Sequence, residues 1–312
     1  MVDLRVQIGS LTLENPIMPG SGTFGEQLAS VLDVNRLGAL VTKTITADIR
    51  EGNPPPRIAE FKDSVLWSIG IPSKGPVHYV ETLVPFYRQF TPPLVASISA
   101  DTVEQFGELA ARISVPGVKA IEANISCPNL KKDGNAFAMD PEATEQVIRA
   151  MKSATALPVW AKLTPNVGDI TVLARAAEAG GADALVVANA MLAMAIDIHT
   201  RRPRLGRVMG GLTGPATKPV ILRMVYQCAH AVQIPIIGCG GVSSAGDAIE
   251  YMLAGATAVQ VGTASFLSAG TMLKVVDGLR DYCETHHVGR IRDLTKAMVG
   301  PQEVRLDDAL TV

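Results

Sequence analysis

The chain has 312 residues and a formal net charge of −2; 47% of the residues are hydrophobic, 19% charged and 4% aromatic. The apolar content excludes an intrinsically disordered chain, and the small net charge excludes a strongly basic nucleic-acid-binding protein as the default class. Four cysteines without a Cys-x-x-Cys pair exclude a disulfide-rich scaffold and the common spacing of zinc or iron–sulfur sites. An aliphatic core with few aromatic residues is typical of buried parallel strands wrapped by helices.

The N-terminal residues carry mixed charge and no apolar run follows them, so we expect neither a signal nor a transit peptide and a cytoplasmic protein. The most apolar stretch, residues 184–196, is too short to cross a bilayer. Cys228 and Cys239 stand in apolar surroundings, which favours inert thiols in the core.

Eight short apolar segments recur along the chain. Each has the length of a strand and few interior charges, which predicts strands buried on both faces. The segments are residues 16–21, 39–44, 93–99, 120–125, 158–164, 184–190, 235–240 and 258–263.

Amphipathic segments that predict helices lie between these strands, at residues 101–114, 140–155, 169–179, 217–232 and 244–253. Asp101, Asp140 and Ser244 stand where helix N-caps are expected. Strands that alternate with helices at a spacing of roughly 35 residues predict an α/β protein with one (β/α)8 TIM barrel as a single domain. A doubly wound sheet is the structural alternative.

Two connections are longer than the others, at about residues 45–76 and 191–215. In a barrel, both would leave from the C-terminal ends of strands, which is the face where active sites lie. Long loops at that face predict covers over the active site.

Polar residues and glycines mark the predicted strand ends and would face one shared pocket. Lysine and asparagine are costly in apolar strand ends unless they are paired or bind a ligand. Glycines after the seventh and eighth strands let backbone N–H groups approach an anion, which predicts a phosphate-bearing ligand. The strand-end residues are Ser21, Lys43, Thr44, Ser97, Asn124, Lys162, Asn189, Gly240, Gly241, Gly262 and Thr263.

The two lysines at strand ends and a cysteine that follows the fourth strand are candidates for a chemical role. A desolvated lysine, Lys43 or Lys162, can form a Schiff base or hold an anionic cofactor or substrate. Cys127 lies between Asn124 and Asn129, whose amides suit a cyclic amide or imide, and its thiol can act as nucleophile or general base. No histidine falls at a strand end, so a Cys–His hydrolase is disfavoured and no metal site is predicted.

Taken together, these motifs resemble the class 1 dihydroorotate dehydrogenases, and most closely the NAD-linked class 1B catalytic subunit. The resemblance covers nearly the whole chain. It rests on residues 15–18, 21–25, 42–44, 124–129, 162–166, 195–197, 210–215, 238–241 and 262–264.

The resemblance implies an FMN-dependent dehydrogenase of pyrimidine biosynthesis that acts on a CH–CH donor and interconverts (S)-dihydroorotate and orotate. It implies that Cys127 takes a proton from carbon 5 while hydride leaves carbon 6 for flavin N5, and that Lys162 stabilises charge on the reduced ring. The implied flavin contacts are Ser21, Lys43, Thr44, Ser97, Asn124, Lys162, Ala188, Gly214, Gly240, Gly241, Gly262 and Thr263. The implied substrate contacts are Lys43, Trp67, Ile69, Gly70, Ile71, Asn124, Asn129, Asn189 and Ala190.

The sequence departs from the family pattern where Trp67, Ser73 and Ala190 replace polar substrate contacts. One alternative is therefore a paralogue that acts on another small cyclic imide or unsaturated ring. A second is a Schiff-base lyase on the same barrel, and a third is an FMN-binding subunit that only transfers electrons or serves as a scaffold. The resemblance also implies a homodimer joined to a separate FAD and iron–sulfur subunit that passes electrons to NAD.

Overall fold

The structure is a computed structural model, and it describes residues 2–126 and 137–300. Eight parallel strands follow one another around a barrel in chain order. They are β1 (Ile17–Pro19), β2 (Leu40–Val41, continued by Ile45–Thr46), β3 (Leu94–Ser99), β4 (Val118–Asn124), β5 (Val159–Lys162), β6 (Ala184–Val187), β7 (Ile236–Cys239) and β8 (Ala258–Val261).

The barrel closes between its first two strands. The hydrogen-bonded ladder runs from β1 through β8 and then back along the sequence to β2. Across the remaining gap, the backbone N–H of Gly38 donates to the carbonyl of Ile17 at 2.7 Å. The predicted (β/α)8 barrel is therefore confirmed, and the doubly wound alternative is wrong.

The strands are buried on both faces, as the apolar segments predict. Every residue of β3, β5, β6 and β8 is buried. Side chains that point inward fill the barrel, and those that point outward pack under the helices. This arrangement explains the aliphatic composition, since small branched residues fill both layers.

Helices cover the barrel at Val103–Ile113, Pro141–Ala154, Ile170–Ala179, Lys218–Ala231, Ala245–Leu253 and Thr271–Thr285, with a short helix at Ala264–Leu267. A continuous helical segment after β2 comprises Gly75–His78, Tyr79–Leu83 and Val84–Tyr87, and single 3₁₀ turns occur at Glu26–Ser30, Val34–Arg36, Phe137–Met139, Pro215–Thr217 and Ile291–Leu294. In the described ranges, no helix combines the length and the apolar content that a membrane span needs.

Two of the three expected N-caps are confirmed. The Asp140 carboxylate accepts from two backbone N–H groups of its helix, and Ser244 forms a capping box with Asp247. Asp101 was the wrong choice, because the Thr102 hydroxyl accepts from the first turn at 3.2 Å while the Asp101 carboxylate pairs with Arg50 at 2.9 Å.

The two long connections form one antiparallel sheet, which we call the insertion sheet. Its four strands, in order, are Met191–Met194, Met209–Thr213, Ser64–Trp67 and Ile58–Phe61. The strands from different insertions are in register at Leu212 and Leu66. Ala59, Leu66 and Leu205 form a small buried cluster under this sheet. A two-stranded pair, Ile196–Asp197 with Arg202–Pro203, extends the second insertion.

A second hairpin precedes the barrel. Its strands are Val6–Ile8 and Leu11–Leu13, and they pair in antiparallel fashion. Ile8 and Leu13 are fully buried in the main core. The hairpin is therefore part of the packed body of the protein.

Candidate active site

A cavity of about 660 Å³ opens at the C-terminal end of the barrel strands. Its wall combines the strand exits with the insertion sheet. Most of the residues singled out from the sequence lie along it: Ser21, Lys43, Thr44, Trp67, Ile69, Gly70, Ile71, Asn124, Lys162, Ala188, Asn189, Ala190, Gly214, Gly240, Gly241, Gly262 and Thr263.

Two of the singled-out residues that the structure describes are not on this wall. Ser97 is fully buried just beneath it, where its hydroxyl lies 2.9 Å from that of Thr44. Ser73 borders a neighbouring cavity of about 750 Å³. Cys127 and Asn129 lie outside the described residues.

The Lys162 ammonium is held inside the barrel by polar side chains from other strands. It donates to Gln260 Oε1 at 3.0 Å, lies 3.4 Å from Ser21 Oγ, and is 3.7 Å from the fully buried Glu122 carboxylate. Burial opposes the positive charge, but the nearby Glu122 carboxylate outweighs burial and raises the pKa of Lys162. Lys162 is therefore a cation with one face on the cavity.

Glu122 connects this lysine to the opposite wall of the cavity. Gln260 donates to one of its carboxylate oxygens at 2.7 Å, and Ser97 donates to the other at 3.0 Å. Ser97 in turn bonds to Thr44, which accepts from the amide of Asn124 at 3.2 Å. A continuous chain of hydrogen bonds thus orients Lys162 and Asn124 together.

Asn124 is the centre of a second group of amides. Asn189 Nδ2 donates to Asn124 Oδ1 at 3.1 Å and also to the Ser126 hydroxyl, which itself donates to Asn124 at 3.1 Å. Ser126 lines the cavity and directly precedes Cys127. The predicted base therefore directly follows a residue of the cavity wall in the sequence.

Lys43 supplies a second cation. It stands between the two segments of β2, and its side chain reaches the cavity. Among the described residues, no carboxylate forms an ion pair with it. Its side chain keeps access to solvent, and partial desolvation in the cavity wall lowers the pKa of its ammonium group. An anionic ligand would supply the missing partner.

Residues that replace the family's polar contacts have partners within the protein. The Trp67 indole N–H donates to Thr213 Oγ1 at 2.5 Å, and its ring lies 5.1 Å from that of Phe266. The Ser73 hydroxyl accepts from the backbone N–H groups of Thr46 and Gly75, each at 3.1 Å. Both side chains therefore join segments of the protein to one another.

Ala190 also has a packing role. Its backbone N–H donates to Asn189 Oδ1 at 2.8 Å, which fixes that amide. A Cβ at Gly211 would lie only 2.6 Å from the Ala190 methyl group, so a small residue is required on each side of this contact. The alanine lets the insertion sheet approach the end of β6 closely.

The glycines of the cavity test whether the residues fit the FMN that the resemblance implies. Gly241 has φ +68°, and a Cβ there would lie 2.8 Å from the Gly214 carbonyl, so the fold itself requires this glycine. At Gly262 the nearest atom to a Cβ would be Thr23 Cγ2 at 3.6 Å, so the protein's own packing leaves room there. A glycine that borders open cavity, together with two ammonium groups, fits an anionic flavin nucleotide.

Three residues near Lys162 were missed in the sequence. Glu122 lies two positions before Asn124 in a strand, so both side chains point to the same side, and a lone glutamate in an apolar strand was an available signal. Gln260 offered the same signal in β8. Cys239, expected as an inert thiol in the core, packs against the core but also lines the cavity beside Lys162, whereas Cys228 is fully buried as predicted.

The Cys239 thiol is neutral in this setting. Burial raises its pKa, against the opposing influence of the Lys162 cation. A protonated thiol is a weak nucleophile, so Cys239 is a neighbour of the charged pair rather than a reactive group.

Comparison with known proteins places this cavity in a family. The chain matches the family model described as dihydroorotate dehydrogenase over residues 3–282. A relative from Desulforamulus reducens, named "Dihydroorotate dehydrogenase B (NAD(+)), catalytic subunit", is 46% identical over 299 residues, which are 95% of this chain and 98% of the relative.

Relatives with the same name occur in other bacteria. The protein of Trichlorobacter lovleyi is 45% identical over 300 residues, with 95% of this chain and 99% of the relative covered. That of Thermoanaerobacter sp. is 43% identical over 295 residues, with 94% and 98% covered. With a barrel whose strand ends carry the family's motifs, and with matches along nearly its whole length, the chain belongs to the dihydroorotate dehydrogenase family.

Proposed function

We propose that this chain is the catalytic subunit of a class 1B dihydroorotate dehydrogenase, which oxidises (S)-dihydroorotate to orotate with FMN as its cofactor. Members of the family are FMN-dependent flavoproteins that act on CH–CH donors. The observation that carries the proposal is one cavity with two ammonium groups of different character. Lys162 is paired inside the barrel, and Lys43 lacks an ion-pair partner among the described residues.

The functional groups of dihydroorotate match an unpaired lysine beside a group of amides. Dihydroorotate carries a carboxylate and a cyclic imide. In the proposed complex, Lys43 pairs with the carboxylate, and Asn124 and Asn189, already oriented by their mutual hydrogen bonds, face the imide. Prior orientation of these amides lowers the entropic cost of binding.

Glycines at the strand ends and Lys162 would hold the flavin nucleotide. Gly240, Gly241, Gly262 and Thr263 surround the proposed phosphate position, and Lys162 would lie against the ring. Bound FMN supplies the acceptor for the hydride that leaves the substrate. The Lys162 cation, kept charged by Glu122, is placed to stabilise negative charge that develops on its cavity side.

Proton removal falls to Cys127 in this proposal. Ser126 lies on the cavity wall and bonds to the amides of Asn124 and Asn189, and Cys127 is the next residue in the sequence. A thiol is a suitable base when its pKa is low enough for the thiolate to form near neutral pH.

The other candidate functions have less support. A Schiff base requires a neutral amine, and the raised pKa of Lys162 keeps that residue protonated. The pKa of Lys43 is lowered, but the relatives, which are named as dihydroorotate dehydrogenase subunits, do not support a lyase. The shared name of the relatives favours dihydroorotate over another cyclic imide. The hydrogen bonds of Trp67 and Ser73 within the protein account for two of the changed positions without a change of substrate.

We further propose that the FMN site and both insertions belong to one domain spanning the 312 residues, and that the protein is a cytoplasmic homodimer. It would work with a separate FAD and iron–sulfur subunit that passes electrons to NAD, since the relatives are named as catalytic subunits of an NAD(+) enzyme. Exposed apolar side chains in the second insertion that lie outside the cavity wall, including Met194, Ile196 and Ile198, support contact with another protein chain.

An anaerobic reduction experiment tests the activity. The purified protein, loaded with FMN, is mixed with (S)-dihydroorotate, and the flavin absorbance should be bleached rapidly. The Cys127→Ser variant should keep its flavin, and dihydroorotate should bleach that flavin at least about 100-fold more slowly. Failure of dihydroorotate to bleach the flavin, with rapid bleaching by another reduced pyrimidine, would replace the substrate in this proposal.

A further inference from the structure

Three side chains at the rim of the cavity connect parts of the protein that are far apart in sequence. The Trp67 indole N–H donates to Thr213 Oγ1 at 2.5 Å, and the Thr263 hydroxyl donates to the same oxygen at 2.8 Å. Trp67 also stacks on Phe266, with ring centroids 5.1 Å apart. The three bonded residues come from the first insertion, the second insertion and the exit of β8.

Their position relates them to the proposed flavin site. Thr263 directly follows Gly262, and Thr213 directly precedes Gly214. The Gly214 carbonyl packs closely on Gly241. All of these residues border the same cavity, so this bonded group joins the insertion sheet to the loops that would surround the phosphate.

The hydrogen bond to Thr213 also occupies the indole N–H that Trp67 would otherwise offer to a ligand. An indole has one donor, and here that donor is paired with Thr213. A substrate therefore meets the apolar face of the ring at most. The tryptophan is better explained by what it holds together than by what it binds.

We propose that Trp67, Thr213 and Thr263 form a clasp that holds the insertion sheet against the exit of β8 and so retains the flavin nucleotide in its cavity. The clasp rests on the proposed FMN site. Release of the nucleotide would require the sheet to separate from the β8 exit, which breaks the two hydrogen bonds and the ring contact. These residues position the cover and take no part in the chemical step.

Five proteins test the clasp: the unchanged chain, the single variants Trp67→Phe, Thr213→Val and Thr213→Ser, and the double variant Trp67→Phe/Thr213→Val. Phenylalanine keeps the ring contact and loses the N–H donor. Valine keeps the shape of Thr213 and loses the hydroxyl. Serine keeps the hydroxyl that both partners use, and it is the matched control.

The measurement is the rate of FMN release, followed by the rise in flavin fluorescence after strong dilution of the loaded protein into flavin-free buffer. Trp67→Phe should release FMN about fivefold faster, as expected for the loss of one hydrogen bond, and Thr213→Val about 25-fold faster, because it removes the bonds from both Trp67 and Thr263. Thr213→Ser should match the unchanged chain. The double variant should be no faster than Thr213→Val, because valine already removes the bond that Trp67→Phe removes.

Equal release rates in all five proteins would overturn the clasp while leaving the FMN site intact. If the double variant releases FMN faster than Thr213→Val, the hydrogen bond between Trp67 and Thr213 is not the contact that retains the nucleotide. If the unchanged chain fails to bind FMN, the proposed function and the clasp both fall. If Thr213→Val does not fold, the comparison of Trp67→Phe with the unchanged chain still decides the outcome.

Discussion

Replacement of Glu122 by glutamine should show how strongly the buried charge pair stabilises the barrel. The Lys162 and Glu122 side chains are 5% and 0% exposed, and their charged atoms lie 3.7 Å apart. Glutamine has nearly the same shape, and it can still accept from Gln260 and bond to Ser97. The substitution therefore removes the negative charge and little else.

The expected loss follows from this distance. At an effective dielectric constant of about 20, two unit charges 3.7 Å apart attract by about 4 kcal/mol. Removal of one partner of a buried pair typically costs about 3–5 kcal/mol, because the other charge stays buried without compensation. For a chain of this length, such a loss should lower the melting temperature by about 6 °C.

The assay is thermal unfolding of the flavin-free protein, followed by circular dichroism. Glu60→Gln is the matched control, because Glu60 is exposed on the insertion sheet. Its replacement should change the melting temperature by less than about 1 °C. The double variant Glu122→Gln/Lys162→Met should recover much of the loss, since it removes the uncompensated ammonium. If the Glu122→Gln protein has the same melting temperature as the Glu60→Gln control, the reasoning is refuted.

Three further predictions concern the ligand sites and the pH dependence of stability. Lys43→Met should raise the KM for dihydroorotate about 30-fold through loss of the charged hydrogen bond, and an unchanged KM in steady-state assays would contradict that role. Gly262→Ala should weaken FMN binding about tenfold in a fluorescence titration and leave the flavin-free melting temperature unchanged, since a Cβ has room in the protein alone; an equal fall in that melting temperature would show that packing requires this glycine. Burial opposes the charge of Asp247, but hydrogen bonds from Lys218 and Ser243 outweigh burial and lower its pKa from 3.8 to about 2. A lowered pKa stabilises the fold above pH 3.8 and stops doing so as the pH falls through about 2, so Asp247→Asn should cost more thermal stability near pH 7 than near pH 2. An equal loss at both pH values would contradict this assignment.

Much of the candidate site was accessible from the sequence because strands have a period of two. Lys162 and Asn124 stand at the ends of apolar segments, and alternation puts such residues on one side of the sheet. The same rule applied to Glu122 and Gln260 would have added both to the site. The strand limits were less accurate, since β2 is interrupted around Lys43 and Thr44, where the chain turns toward the cavity.

The partners of these residues could not be predicted in the same way. Gln260 and Glu122 are 138 residues apart in the chain, and Trp67 and Thr213 are 146 apart. No local pattern fixes such a pair, because its geometry depends on barrel closure and on the register between strands.

The sequence by itself determined that apolar strands alternate with helices and that cationic and amide side chains collect at one end of the strands. It did so because burial on both faces requires continuous apolar segments, and these are visible in a single chain. The tertiary structure alone decided that two separate insertions share one sheet and that Glu122 lies against Lys162. It also decided that Trp67 bonds to Thr213 at the rim of the cavity. These contacts arise only when the closed barrel brings distant segments within hydrogen-bonding distance.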